Sequence, residues 1–188
     1  MSTIRRPRKG SLQFWPRKRA KKFLPRVNWS PINSKKIAKG FICYKAGMAS
    51  AYVKDNTPDS MNKGKNIILP VTIFECPSMK IFSVRFWKNS QLKTEVLTEN
   101  LDKELTGKIK MPKKKSHGID SVKDYDDLSI ICYSNVKKTG IKKTPDLSEI
   151  GLSGSLEEKM NFIKENLGKE ISVSSIFEKK DLVDVRSL

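Results

Sequence analysis

Apolar residues are thin before residue 36 and cluster beyond it. From Gly40 short apolar runs alternate with turn residues, a rhythm that predicts several short strands and few helices. Phe41-Ile42-Cys43-Tyr44 and Ala51-Tyr52-Val53 read as two strands around Lys45-Ala46-Gly47-Met48, where Gly47 can supply a positive φ. Asp55 to Lys65 is rich in turn residues, with Pro58 and Gly64. Ile67 to Cys76 is β-rich and mostly apolar, as expected of a strand buried on both faces. Met79 to Trp87 reads as another strand, with Ile81, Val84 and Phe86 as core candidates.

The character changes near Gln91. Leu92 to Leu105 permits a helix, because Val96, Leu97, Leu101 and Leu105 fall at helical spacing. A basic loop, Lys110 to Lys115, follows, and Leu128 to Tyr133 is a strand. The clearest helix runs from Leu156 to Leu167. Ser155 is its N-cap, Glu158 completes a capping box, Leu156, Met160, Ile163 and Leu167 line one face, and Gly168 stops it. Ile171, Val173 and Leu182 to Val185 return to β character. Several short strands separated by turns argue for a mainly β fold with a barrel rather than an open parallel sheet. Four segments follow: an arm over residues 1–36, a first β part over 37–89, a mixed α/β region over 90–170, and a return to β character over 171–188.

Charge changes this picture most. The 188-residue chain carries a net charge of +18. Its first 54 residues hold 15 Lys and Arg and no carboxylate before Asp55, leaving 23 basic against 20 acidic residues for the rest. In the arm, Arg5, Arg6, Arg8, Lys9, Arg17, Lys18, Arg19, Lys21, Lys22 and Arg26 are interleaved with Phe14, Trp15 and Trp29, and Lys45 lies just beyond. Guanidinium groups fork onto phosphates and aromatic faces stack on unpaired bases, so these residues are the candidate RNA-binding set. One alternative is a solvated tail, in which the aromatics would be wasted. Another is that one of the two arm tryptophans staples the arm onto the barrel. Pro7, Pro16, Pro25 and Pro31 block long helices in this segment. Like charges without compensation oppose compaction, so the arm is expected to be disordered in the free protein and ordered on RNA. Rigid backbone order parameters before Lys36 without RNA would contradict this.

Little else in the chain suggests chemistry. Cys43, Cys76 and Cys132 are far apart, with no Cys-x-x-Cys pair, and His117 is the only histidine, so the ligand spacing of a zinc site is missing. Cys43 and Cys132 sit in strand-like runs and read as core residues. Gly107 to Ser116 lacks the second glycine of a P-loop, and Gly151-Leu152-Ser153-Gly154 is not a nucleophile elbow. The aspartates at 124, 126 and 127 read as a solvated lead-in to a strand rather than a metal site. No enzyme activity and no cofactor are expected. The longest apolar stretch, Ile67 to Phe74, is too short to cross a bilayer, and no signal-type run opens the chain, so an intracellular protein without a membrane partner is expected.

Several motifs converge on one family. Arg6-Pro7-Arg8-Lys9-Gly10-Ser11-Leu12, Pro16-Arg17-Lys18-Arg19-Ala20, and Gly40-Phe41 with Tyr44-Lys45-Ala46-Gly47-Met48 resemble the N-terminal half of the ribosomal protein L-three family of the large subunit, in its archaeal or eukaryotic form. The resemblance continues through Pro70-Val71-Thr72, Glu75-Cys76-Pro77-Ser78-Met79-Lys80, Leu101-Asp102-Lys103-Glu104-Leu105, Lys143-Thr144-Pro145-Asp146 and Gly168-Lys169-Glu170-Ile171-Ser172-Val173.

The resemblance implies a translation-factor-type β-barrel with an inserted α/β region and a basic extension on ribosomal RNA. It also implies a structural role in the cytoplasmic ribosome, with large-subunit RNA and neighbouring ribosomal proteins as partners. Family members continue past the strand equivalent to Leu182 to Val185, whereas this text stops at Leu188. The expectation is a split or truncated form completed by a companion chain, and a lone chain that is poorly soluble or molten. The competing reading is a free nuclear or nucleoid DNA-binding protein. The only confident helix carries Glu157, Glu158, Lys159, Lys164 and Glu165, a poor composition for reading a groove. A nuclease would need paired carboxylates near the basic region, and the first 54 residues have none.

Overall fold

A computed structural model describes residues 10, 11, 15, 24–112 and 118–187. The chain divides into two units, Met1–Arg26 with Asp184–Leu188, and Val27–Val183. The described residues of the first unit form no helix or strand. Everything below on packing concerns the second.

Two long strands, β1 (Tyr44–Lys54) and β2 (Asn66–Glu75), form an antiparallel ribbon. Its turn is built on Asp55, whose backbone N–H donates to Lys65 O and whose carboxylate accepts from Thr57 N and Ser60 Oγ. Gly64, at φ 80°, completes that turn in the left-handed region. The turn-rich reading of residues 55–65 therefore holds, but the two short strands expected around Lys45 to Met48 are one. Ala46 is the extra residue of a bulge between Lys45 and Gly47, and Gly47 does not adopt positive φ. A bulge interrupts alternation as a turn does, which is why the pattern suggested one.

A second correction concerns β2. It was expected to be buried on both faces, yet β1 is its only strand neighbour among the described residues and most of it is exposed. Ile68 is 60% and Ile73 51% exposed on opposite faces of the ribbon. An apolar run specifies strand character, not what covers it.

The remaining strands, β3 (Met79–Lys88), β4 (Gln91–Leu97), β5 (Asp127–Ser134) and β6 (Leu147–Gly151), form an antiparallel sheet in the order β4-β3-β5-β6. The helix expected over Leu92 to Leu105 is β4 followed by a 3-10 turn, Lys103–Gly107. Asn89 and Ser90 both have positive φ, 49° and 60°, and make a two-residue hairpin turn that returns the chain antiparallel to β3. The tight turn decides against the helix, and spacing of four apolar residues could not reveal it. Strand β6 was not foreseen.

Strand alternation sends Val84, Phe86, Val96, Leu128, Ile130 and Ile150 to one face, all buried. The helix α1 (Leu156–Asn166) packs on the β5 side, with Ile163 fully buried. Ser155 Oγ accepts from Glu158 N, and Glu158 Oε2 accepts from Ser155 N at 2.9 Å, so the predicted capping box is present. Such a cap stabilises a helix by about 1 kcal/mol. The opposite face holds a second cluster, Phe82, Leu105 and Tyr133, closed by Leu101, Ile109 and Met111. Ile81, Val84 and Phe86 are buried as expected; Cys132 is core, whereas Cys43 is only half-buried.

After α1, Gly168 turns at φ 73°, Ile171 bridges Met79, and Val173–Ile176 forms one short helical turn, α2, where β character was expected. Leu182 to Val185, read as a strand, has no ladder partner among the described residues. The two sheets do not close into a barrel among those residues.

Candidate nucleic-acid interface

Ion pairs are denser in the later part of the fold, although Lys103, Lys110, Lys123, Lys143, Lys169, Lys179, Lys180 and Arg186 have no carboxylate within 4.0 Å among the described residues. Lys80 binds Asp102 at 2.8 Å, and Arg85 bridges Glu95 at 3.0 Å and Glu149 at 2.8 Å. Lys108 and Lys142 share Asp146, Lys138 holds Glu170, Lys159 meets Asp127 and Lys164 meets Asp120. Burial would raise the Asp102 carboxyl, but hydrogen bonds from Lys80 and Tyr133 outweigh it and hold the group below its usual value. For Glu170 the Lys138 and Ser78 hydrogen bonds lower it against a smaller burial effect.

The earlier cations differ. Among the described residues between Arg26 and Lys65, only Lys36 has a carboxylate within 4.0 Å, Glu178 and more distantly Asp181. Arg26, Lys35, Lys45, Lys54, Lys63 and Lys65 are exposed without such a partner among those residues. Positive potential is therefore concentrated where the sequence runs without acid. Lys54, Lys63 and Lys65 flank the ribbon turn, and Tyr52 beside them is 82% exposed. Sequence reasoning left these four out. The signal was present, because the acid-free stretch ends only at Asp55, but the turn that gathers them was needed to see it.

The sequence-predicted residues fall into three groups. Arg5, Arg6, Arg8, Lys9, Phe14, Arg17, Lys18, Arg19, Lys21 and Lys22 lie outside the described residues, as does His117. Trp15 is 62% exposed, and Arg26 and Lys45 are exposed. Trp29 is placed otherwise. Its indole N–H donates to Glu149 O at 2.9 Å, and its side chain covers Gly40 and Gly151 so closely that a Cβ would stand 2.6 Å from the ring at Gly40 and 2.6 Å from the Trp29 Cβ at Gly151. Ala38 bridges Leu152 alongside, and Lys39 N donates to Gly151 O. Trp29 thus staples the segment before β1 to the end of β6, the role set against stacking on RNA. Those two glycines are what admit the side chain.

Nothing in the described residues assembles a catalytic or metal centre. No group of three or more His, Cys, Asp or Glu among them could hold a metal. Asp124 takes Lys88 and Lys93, Asp126 accepts from Asn89 N, and Asp127 from Lys159. Among the described residues no helix is long and apolar enough to cross a membrane. Helix α1 is unsuited to a groove, since its two lysines are already paired with Asp127 and Asp120.

Comparison with known proteins supplies a family. The family model described as Ribosomal protein L3 matches residues 1–188. The chain is 38% identical over 193 residues to the large ribosomal subunit protein uL3 of Methanocaldococcus jannaschii, covering 96% of this chain and 58% of that protein. It is 38% identical to uL3 of Methanococcus vannielii, with 95% and 57% covered, and 36% identical to uL3 of Archaeoglobus fulgidus, with 96% and 57% covered. The chain thus spans somewhat more than half the length of the curated relatives it matches.

Proposed function

The chain belongs to the ribosomal protein L3 family, and from that premise we propose that it is an RNA-binding structural component of the large ribosomal subunit, without enzyme activity, working in the cytoplasm. The observation that carries this reading is the family match across all 188 residues. The uncompensated cations before Lys65 give it a physical basis, because a polyanion is what neutralises them. The basic arm through Arg26, with Trp15, forms the first contact. Lys45, Lys54, Lys63 and Lys65, with Tyr52, extend it onto the ribbon. Backbone footprinting of large-subunit RNA should show protections that vanish when residues 1–26 are removed. Protections unchanged by that removal would refute the assignment of the arm.

The ribbon supports a finer reading. Ala49, Ala51, Val53, Ile67, Leu69, Val71 and Ile73 share one face, on which Ala49, Val53, Leu69 and Ile73 are exposed. Both outer edges of the ribbon are also unpaired among the described residues. We read β1, β2 and the start of β3 as the opened part of a translation-factor-type barrel, and the stretch from β4 through α1 as its insertion. The strands that close it correspond to the part of the family's length this chain does not span. The four-stranded sheet has its own buried cores, so the expected form of poor solubility in the lone chain is self-association through the ribbon. Leu69→Lys with Ile73→Lys should keep the lone chain monomeric in sedimentation at concentrations where the parent associates. Equal association of both would remove the ribbon as the sticky surface.

A further inference from the structure

Cys43 and Cys76 belong neither to the basic surface nor to the two apolar clusters. Strands β1 and β2 pair from Tyr44 opposite Glu75 inward to Lys54 opposite Asn66. Continued one step beyond the end of the ladder, that register sets residue 43 opposite residue 76, and both are cysteines. Directly opposed residues in an antiparallel pair carry Cβ atoms about 4.5–5.5 Å apart on one face. A disulfide asks for Cβ atoms roughly 3.5–4.5 Å apart and Cα atoms at about 4.4–6.8 Å, so a small adjustment at the end of a ladder suffices. Cys43 adds to the upward push that burial exerts on the Cys76 thiol, as expected of neighbours across that register. Both are reduced and half-buried, whereas Cys132 is fully buried in β5, opposite Ile81.

We propose that Cys43 and Cys76 are a dithiol modification site that closes to an intramolecular disulfide, stapling the base of the ribbon. The oxidant is a small-molecule disulfide of the glutathione type. One cysteine, as thiolate, attacks a sulfur of that disulfide, forming a mixed disulfide and expelling one small thiolate. The second cysteine, as thiolate, attacks the protein sulfur of the mixed disulfide and expels the other small thiolate. The protein loses two protons and two electrons, and the oxidant becomes two thiols.

Burial raises both thiols above their ordinary range, with Cys43 and Glu75 adding to the effect at Cys76. Little thiolate is present at neutral pH, so closure is slow and suits a staple under sustained oxidation, not a rapid sensor. The bond would enclose the whole ribbon, so a cut at Lys63 or Lys65 in its turn would leave the halves joined. Cys132, pushed up to about 12 by burial, is the internal control.

The test uses the full 188-residue chain under native conditions with oxidised glutathione, alkylation, and tryptic mapping without reduction. The expected product joins the peptide 40–45 to the peptide 66–80, with Cys132 recovered as a free thiol. Cys132→Ser should leave that product intact, and Cys43→Ser and Cys76→Ser should each abolish it. The urea-unfolded chain should give mixed pairings, so selective closure reports the folded register rather than composition. Stable glutathione adducts on Cys43 or Cys76 without closure, cross-links through Cys132, or links only between molecules would overturn the proposal.

Discussion

Removing residues 1–26 should lower affinity for large-subunit RNA by roughly 10²–10³-fold at moderate salt, and flatten its salt dependence. The magnitude follows from counterion release. If about six cations each neutralise a phosphate, the slope of log K against log salt is roughly −4 to −5. A fourfold rise in salt then costs between two and three powers of ten. The cut is placed at Arg26 because the second unit begins at Val27 and Trp29 is stapled to Gly151 within it. A deletion running to residue 36 would remove that staple and confuse lost binding with lost structure. The residual slope of the shortened chain should be shallow and should fall further when Lys54, Lys63 and Lys65 become Gln together. A slope unmoved by removing residues 1–26 would place the RNA site elsewhere.

The largest stability effect is expected at Asp146. Its side chain is 2% exposed and accepts from Tyr44 Oη at 2.7 Å, Lys108 Nζ at 2.8 Å and Lys142 Nζ at 2.7 Å. Its own N–H donates to Ser134 Oγ at 3.1 Å, and that hydroxyl also meets Tyr44 Oη. One residue therefore ties the start of β1 and the segments around Lys108 and Lys142 through its carboxylate, and the end of β5 through its N–H. Asp146→Leu keeps the branched shape but removes the acceptor shared by the Tyr44 phenol and both lysines and adds bulk at a buried site. The loss should be about 2–4 kcal/mol, below that of a fully buried ion pair because the two lysines can turn to water. Urea melts followed through Trp87, whose indole donates to Ser129, would read it as a shifted midpoint with unchanged slope. Asp124→Asn, at an exposed pair, should leave the midpoint in place. A shift under about 0.5 kcal/mol for Asp146→Leu would show that this node is not structural.

The same group fixes a pH dependence. Burial would raise the Asp146 carboxyl, but the hydrogen bonds from Lys108, Lys142 and Tyr44 outweigh it and hold the group below its ordinary value. A depressed carboxylate contributes stability that is fully present above its unfolded value, about pH 4, and lost as pH falls through the folded value. The gap between parent and Asp146→Leu should therefore be widest above about pH 5 and close on the acid side. A gap independent of pH would contradict the assignment.

What the sequence made legible was what local chemistry decides. The capping box at Ser155 and Glu158, the burial of Ile81, Val84 and Phe86, and the turn before Gly64 need only neighbours a few residues away. What it hid depends on distant partners. Ile67 to Phe74 looks like an interior strand because its side chains are apolar, and only the topology shows that β2 has one strand neighbour among the described residues. The pairing of Val96 and Leu97 across β3 overrides a helical spacing. Trp29 could stack on a base or fill a gap over Gly40 and Gly151, and the choice is invisible until residues 120 apart meet. The charge asymmetry, by contrast, was plain in the sequence and gained its meaning when Lys54, Lys63 and Lys65 proved gathered at the ribbon turn.

The central claim, that this chain works as a ribosomal component and not as a free nucleic-acid binder, is tested most directly by its position in a sucrose gradient. Lysate from cells expressing the chain at its native level would be resolved in salt high enough to strip loosely bound basic proteins. The account predicts that the chain sediments with intact large subunits, in near-equal stoichiometry to their RNA. Recovery at the top of the gradient, or in the nucleoid fraction, with large subunits devoid of it, would contradict it.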